Sequence, residues 1–286
     1  MLVDLPDGRR LEVVVTGPED GTPLVFHYGT PGAPLPYPPM VDAAARRGLR
    51  TVLYARPGYG ASTPQPGRTV AHAAADTAAI LDALGADAFV TVGWSGGGPH
   101  ALACAALLPG RCRAGASVAG IAPFGASGLD WFAGMGAENV EEFAAAVAGE
   151  VPLSRYLLEH AGPLSTVTGA DLAGALGDLV SAVDRGQLTG QLAEFIAGLF
   201  RASVASGIAG WRDDDLAYVR DWGFPLGGDV PVTVWQGGQD RMVPYAHGEW
   251  LAGNVPGATA RLVPAEGHLS LAFGNFEEIL DGLLRE

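Results

Sequence analysis

Cationic side chains are scarce in this sequence. Across 286 residues, 17 Lys and Arg face 31 Asp and Glu, a formal net charge of −14. No basic run interrupts that balance, which argues against a nucleic-acid partner. The acidity serves solubility. Cysteine is almost missing: Cys104 and Cys112 cannot build a disulfide framework. No Cys/His cluster has zinc-ligand spacing, and nothing in the chain asks for a metal or another cofactor. Cys104 reads as a buried small hydrophobe. There is no uninterrupted apolar run of about 18 residues or more, so no membrane span is expected. The N-terminus lacks a positive start followed by an apolar core, so no secretory signal is read and a cytoplasmic location is expected. Charged residues make up 17 % of the chain and hydrophobic ones 48 %, a balance that does not suit a disordered protein. A chain of this length buries a full core, as one domain or one domain with an insertion. Oligomeric state is not legible.

What the chain does hold is a strand–turn–helix around one serine. Phe89-Val90-Thr91-Val92 is β-branched and apolar, Gly98–Leu108 is rich in Ala and Leu, and Gly93-Trp94-Ser95-Gly96-Gly97 lies between them. That is the setting a nucleophile elbow G-x-S-x-G requires. Glycines on either side of the serine remove side chains that would collide in so sharp a turn.

Strand-like runs occur at Leu11–Val15, Pro23–Tyr28, Arg50–Ala55, Ala88–Val92, Ala114–Ala119, Pro231–Gln236 and Ala260–Pro264. Helix-like stretches at Pro39–Arg47, Val70–Leu84, Gly98–Leu108, Pro244–Leu251 and Leu269–Leu284 alternate with most of them. Apolar strands separated by helices predict an α/β fold, a mostly parallel sheet covered on both faces. The first three strands lack helices of crossover length, so an antiparallel meander at one edge is expected. The alternation stops between about Pro123 and Pro225. There Leu172, Leu176, Leu179 and Val183, then Leu188, Leu192, Phe195 and Leu199, and also Val140, Phe143 and Val147, repeat at helical spacing. The reading is a core of residues 1–122 and 226–286 with a helical cap, 123–225, inserted between two strands.

A serine hydroxyl needs an imidazole to take its proton and an acid to orient that imidazole. On this architecture the order along the chain is serine, acid, histidine. His268, on a short loop after the last strand, is the candidate base. His27 and His100 lie too early and are read as bordering the site; His72, His160 and His247 read as ordinary helix or surface residues. Asp240, in the loop directly after Val232–Gln236, is the candidate acid. Asp213, Asp214 and Asp215 are its rivals, set aside as an acidic run at a solvated helix start. Backbone N–H groups of Gly96 and Thr30 are the candidate oxyanion donors; Pro31 has none. Trp94, Tyr28, Phe124 and Trp131, with Phe132, Trp211, Trp222 and Phe224, are candidates for an apolar substrate pocket.

With these pieces placed, the chain resembles the α/β-hydrolase superfamily over nearly its whole length. The resemblance rests on Gly29-Thr-Pro-Gly32, Arg56-Pro-Gly-Tyr-Gly-Ala-Ser62, the elbow, Gly238-Gln-Asp-Arg-Met-Val-Pro244 and Glu266-Gly-His-Leu-Ser270. It is most similar to bacterial capped hydrolases, among them proline iminopeptidases and esterases. That resemblance implies the fold, triad roles for Ser95, Asp240 and His268, and oxyanion donors at Thr30 and Gly96. Two positions depart from the family: Tyr28 replaces the histidine before the loop glycine, and Ala55 replaces the acid before Arg56. The function expected is hydrolysis of a small or medium carboxylic ester, thioester or lactone, with a small-molecule substrate as partner. The alternatives are an iminopeptidase-like aminopeptidase, with Glu138, Glu141, Glu142 or Asp213–Asp215 holding an ammonium group, and a ligand-binding protein on the same fold.

Overall fold

The computed structural model describes residues 1–285. The strands are β1 (Leu2–Asp4), β2 (Arg10–Thr16), β3 (Thr22–His27), β4 (Leu49–Tyr54), β5 (Phe89–Trp94), β6 (Cys112–Val118), β7 (Val232–Gly237) and β8 (Thr259–Val263). They form one sheet in the order β1-β2-β4-β3-β5-β6-β7-β8. The first two pairings, β1 with β2 and β2 with β4, are antiparallel. From β4 to β8 the sheet is parallel, with Phe26 opposite Val92 and Trp94 opposite Val118.

The expected edge meander does not form. β3 passes inside β4 and pairs with β5, leaving β2 beside β4. Residue patterning explains the exchange. In β3 five successive residues are buried, as a strand covered on both faces requires, whereas β2 is only partly buried and belongs near an edge.

Helices α1 (Pro38–Ala45), α2 (His72–Ala83) and α3 (Gly97–Leu107) occupy the crossovers between β3 and β6. Helices α10 (Tyr245–Asn254) and α11 (Phe276–Leu283) follow β7 and β8. The single helix expected over Leu269–Leu284 is broken: a π-helical turn, Ser270–Gly274, precedes α11. Crossovers of this kind bring the ends of β3, β5, β7 and β8 to the same edge of the sheet, where ligands bind in α/β folds.

Between β6 and β7, neighbours in the sheet, the chain makes a helical insertion. It holds α4 (Ala137–Ala148), α5 (Glu150–Leu164), α6 (Leu172–Ala175), α7 (Ala182–Gln187), α8 (Gly190–Val204) and α9 (Ala209–Tyr218). The apolar repeat from Leu172 to Val183 does not make one helix. Gly177 is left-handed at φ +50° and Ser181 caps α7, accepting from the Asp184 N–H at 3.4 Å, so the segment splits. The repeat at α8 is real: Leu192, Phe195, Ile196 and Leu199 are buried. Val147 on α4 is exposed, while Phe143 faces the core. No single helix among the described residues is long and apolar enough to cross a membrane.

Candidate active site

Ser95 follows β5 in the left-handed region, at φ 57°, and its N–H bonds the Val118 carbonyl of the next strand. A non-glycine residue in that conformation is strained and persists only where its surroundings hold it. The flanking glycines are sterically required. A Cβ on Gly93 would strike the Gly97 carbonyl, and one on Gly97 would strike the carbonyl of His27.

Asp240 lies three residues beyond β7. Its Oδ1 accepts the N–H groups of Met242 and Val243 at 2.9 and 2.8 Å, which fix the carboxylate. Its Oδ2 accepts from Gln236 Nε2 at 3.0 Å and pairs with His268 Nδ1 at 2.7 Å. The acceptor Oδ2 places the imidazole proton on Nδ1 and leaves a lone pair on Nε2. Burial opposes protonation of His268, but the Asp240 carboxylate outweighs it and raises the pKa above the ordinary 6.5.

Ser95 and His268 line one small cavity of about 40 Å³. No hydrogen bond among the described residues joins Ser95 Oγ to His268; such contacts commonly tighten only when substrate binds. Gly29, Thr30, Pro31, Trp94, Met242 and Leu269 complete the wall from the sheet edge. Leu176, Ile196, Leu199 and Phe200 close it from the insertion. Apart from His268, no lining side chain is acidic or basic. Among the described residues nothing accepts the N–H of Thr30 or Gly96.

Trp94 reaches this cavity, its ring 5.4 Å from that of His268. Other aromatic candidates do not. Tyr28 donates its hydroxyl to the Leu35 carbonyl at 2.8 Å and packs edge-on against Phe26. Trp131 donates Nε1 to the Ala122 carbonyl and packs with Phe124, Phe132, Phe143 and His247. Trp211 bonds Glu142, and Trp222 stacks with Phe224. Each indole or phenol spends its polar end on fixed groups, so these rings are core. The early histidines also sit behind the site. His27 contacts Tyr54 and Cys104, and His100 donates to the Gly96 carbonyl at 2.9 Å. Burial, then the nearby Arg56, lowers the His100 pKa to about 3. His247 is buried rather than superficial, bridging Ala122 and Trp131.

The largest departure from expectation is the run Asp213–Asp215 on α9. It is not solvated: the three residues are 3 %, 0 % and 0 % exposed. Asp213 pairs with Arg212. Asp214 pairs with Arg56 at 2.6 Å and Arg68 at 2.7 Å, and accepts from Tyr59 and from Thr30 Oγ1. Burial opposes its ionisation, but the two guanidinium groups outweigh that and hold its pKa below the usual carboxylate range. Arg56, which Ala55 leaves without an acid beside it in sequence, therefore finds one on α9. Asp215 faces Glu142 of α4; burial, then the Glu142 charge, raises the Asp215 pKa, while burial raises that of Glu142 to about 7 against the lowering effect of its hydrogen bonds.

A second acid went unnoticed in sequence. Asp184 of α7 is fully buried. Its Oδ2 accepts the His268 N–H at 3.0 Å, and its Oδ1 accepts those of Leu269 and Ser270 at 2.8 and 2.9 Å. The signal available was Ser181-x-x-Asp184, a local capping pattern with no pointer to a partner 84 residues away.

A serine at a strained strand-to-helix turn, with an acid and a histidine on loops that follow later parallel strands of the same sheet, defines the α/β-hydrolase class. The chain matches the family model described as alpha/beta hydrolase fold over residues 22–274, and it belongs to that family. It is similar to a protein named non-heme chloroperoxidase from Streptomyces lividans, 29% identical over 85% of this chain and 83% of that one. In structure it is similar to a hydrolase from Pseudomonas aeruginosa PA01 (TM-score 0.70, 21% identity, 100% and 98% of the two chains covered). It is also similar to the enol-lactonase from Burkholderia xenovorans LB400 (TM-score 0.69, 19% identity, both chains covered in full).

Proposed function

We propose that the protein is a serine hydrolase that cleaves a small or medium carboxylic ester, thioester or lactone through an acyl-enzyme on Ser95, with residues 123–225 serving as the cap. The observation that carries this reading is the 2.7 Å bond from His268 Nδ1 to Asp240. It frees Nε2 to act on Ser95 Oγ across their shared cavity. Ser95 Oγ attacks the acyl carbonyl while Nε2 takes its proton, and Asp240 stabilises the imidazolium. The Thr30 and Gly96 N–H groups, which lack other acceptors, bind the oxyanion. Collapse breaks the bond to the leaving group, which receives the proton from His268. Water, deprotonated by the same nitrogen, then adds to the acyl carbon, and the acid leaves as the bond to Ser95 Oγ breaks and His268 returns the proton to that oxygen.

The apolar, nearly uncharged lining suits a neutral acyl group. It does not suit the ammonium of an aminopeptidase substrate, because none of Asp213–Asp215 and Glu142 lines the cavity. The chloroperoxidase name of a relative favours a second reading, in which hydrogen peroxide replaces water in the last step and a peracid leaves. Fluorophosphonate labelling followed by peptide mapping tests the main proposal. A single adduct on Ser95, absent from His268→Ala, supports it. Folded protein that takes no adduct refutes it and leaves the ligand-binding alternative. Product analysis with and without peroxide separates the two hydrolytic readings.

A further inference from the structure

We infer that Asp214 and Tyr218, both on α9 of the insertion, are positioning residues: Asp214, through Arg56, aims the Thr30 N–H, and Tyr218 sets its spacing from the elbow that carries the Gly96 N–H. The inference rests on the hydrolase reading above. A trans peptide points its carbonyl and its N–H in opposite directions. The N–H of Thr30 shares a peptide with the Gly29 carbonyl, and Arg56 Nη2 donates to that carbonyl at 2.8 Å. Holding the oxygen on the Arg56 side turns the N–H to the opposite side, where Gly29 and Thr30 wall the cavity. Arg56 Nη1 also fixes the preceding carbonyl, that of Tyr28, at 2.6 Å.

Arg56 is held in turn by Asp214. Nε and Nη2 both donate to the carboxylate, at 3.0 and 2.6 Å to Oδ2. A guanidinium with a single bidentate partner has little freedom to swing. The second donor is aimed within the elbow itself. The Ser95 carbonyl accepts the Gly98 N–H at 2.9 Å, which sends the Gly96 N–H the other way.

Tyr218 joins the two halves. Its hydroxyl donates to the Gly96 carbonyl at 2.9 Å and sits 2.7 Å from Thr30 Oγ1. Thr30 Oγ1 lies 3.0 Å from Asp214 Oδ2 as well, and its one proton serves either the phenol or the carboxylate. One helix from outside the sheet thus grips the loop after β3 and the elbow after β5 together. The core strands supply the two donors, and the insertion supplies the reference that keeps them in register.

The test uses Tyr218→Phe and Asp214→Asn in the full chain with a short-chain aryl ester, a boronic acid of matching length and the corresponding alcohol. The boronic acid forms a tetrahedral adduct on Ser95; the alcohol occupies the cavity without one. Parent turnover that vanishes in Ser95→Ala establishes the hydrolase reading first. Both variants should then lower kcat by about 10–10²-fold, with KM within about threefold, as for weakened oxyanion donors. The boronic acid inhibition constant should rise in step, while alcohol affinity stays unchanged. A purely structural role would weaken both ligands alike or leave kcat within about twofold, and either result overturns the inference. Tyr218→Phe removes one oxygen and decides the matter alone if Asp214→Asn does not fold. A parent without Ser95-dependent turnover removes the hydrolase reading, and this inference with it.

Discussion

Replacing Asp184 with alanine should damage stability and activity together, although the residue belongs to the insertion and lines no part of the Ser95 cavity. Its carboxylate accepts three consecutive N–H groups, from His268 to Ser270, and the Ser181 hydroxyl. Hydrogen bonds to a charged group contribute roughly 1.5–3 kcal/mol each. They are not additive, and each buried donor left unsatisfied costs about 1–3 kcal/mol. At about 2–4 °C per kcal/mol for a large domain, the melting temperature should fall by on the order of 10 °C. The three freed N–H groups lie in the loop that carries His268. A displacement of that ring by about 1 Å is enough for a loss of about 10²-fold in rate. Calorimetry, and kcat/KM on a short-chain ester well below both melting points, provide the assay. Asp184→Asn, which keeps one carbonyl acceptor, should fall between parent and alanine. Asp184→Ala within about 1 kcal/mol of parent and within twofold in kcat/KM would refute the account.

Three further outcomes follow from the same geometry. Ser95→Ala should lower activity by about three or more orders of magnitude with little change in the melting curve, since it loses one hydroxyl and little packing; retained turnover would displace the nucleophile. Because Asp240 raises the His268 pKa and the base must be neutral, kcat/KM should fall on acidification with a midpoint above 6.5, read from a pH–rate profile. The raised pKa of Glu142 means that the folded state binds more protons than the unfolded one between the ordinary value of 4.5 and about 7. Stability of the parent should therefore decline as pH rises through that window, and urea titrations of Glu142→Gln should show a flatter dependence.

The sheet was readable because parallel strands carry their own signature of apolar runs between helices, and each of the longer runs is a strand in the structure. Only β1, three residues long, offered too little pattern, and the place of β3 depended on pairing rather than propensity. Spacing also indicated which loops meet at the sheet edge, where Ser95, Asp240 and His268 lie. What spacing does not encode is which polar side chains of the insertion turn inward. Asp214 and Asp215 look like surface residues until their partners, Arg56 and Glu142, are known from the fold. The aromatic residues misled for the converse reason: Tyr28, Phe124 and Trp131 have the composition of a pocket wall, but their hydroxyl, ring and indole groups fill core positions.

The two carboxylates that reach from the insertion into the sheet edge bear on how such enzymes diversify. An insertion of this kind looks interchangeable, a module to be swapped between relatives to alter selectivity. Here Asp184, Asp214 and Tyr218 would have to travel with it, and Arg56, Arg68 and Thr30 would have to await them in the recipient. Chimeras that exchange the helices without this set inherit a wall for the cavity and lose the anchors beneath it. The boundary between scaffold and adaptable part therefore runs through the middle of α9 rather than at the ends of β6 and β7.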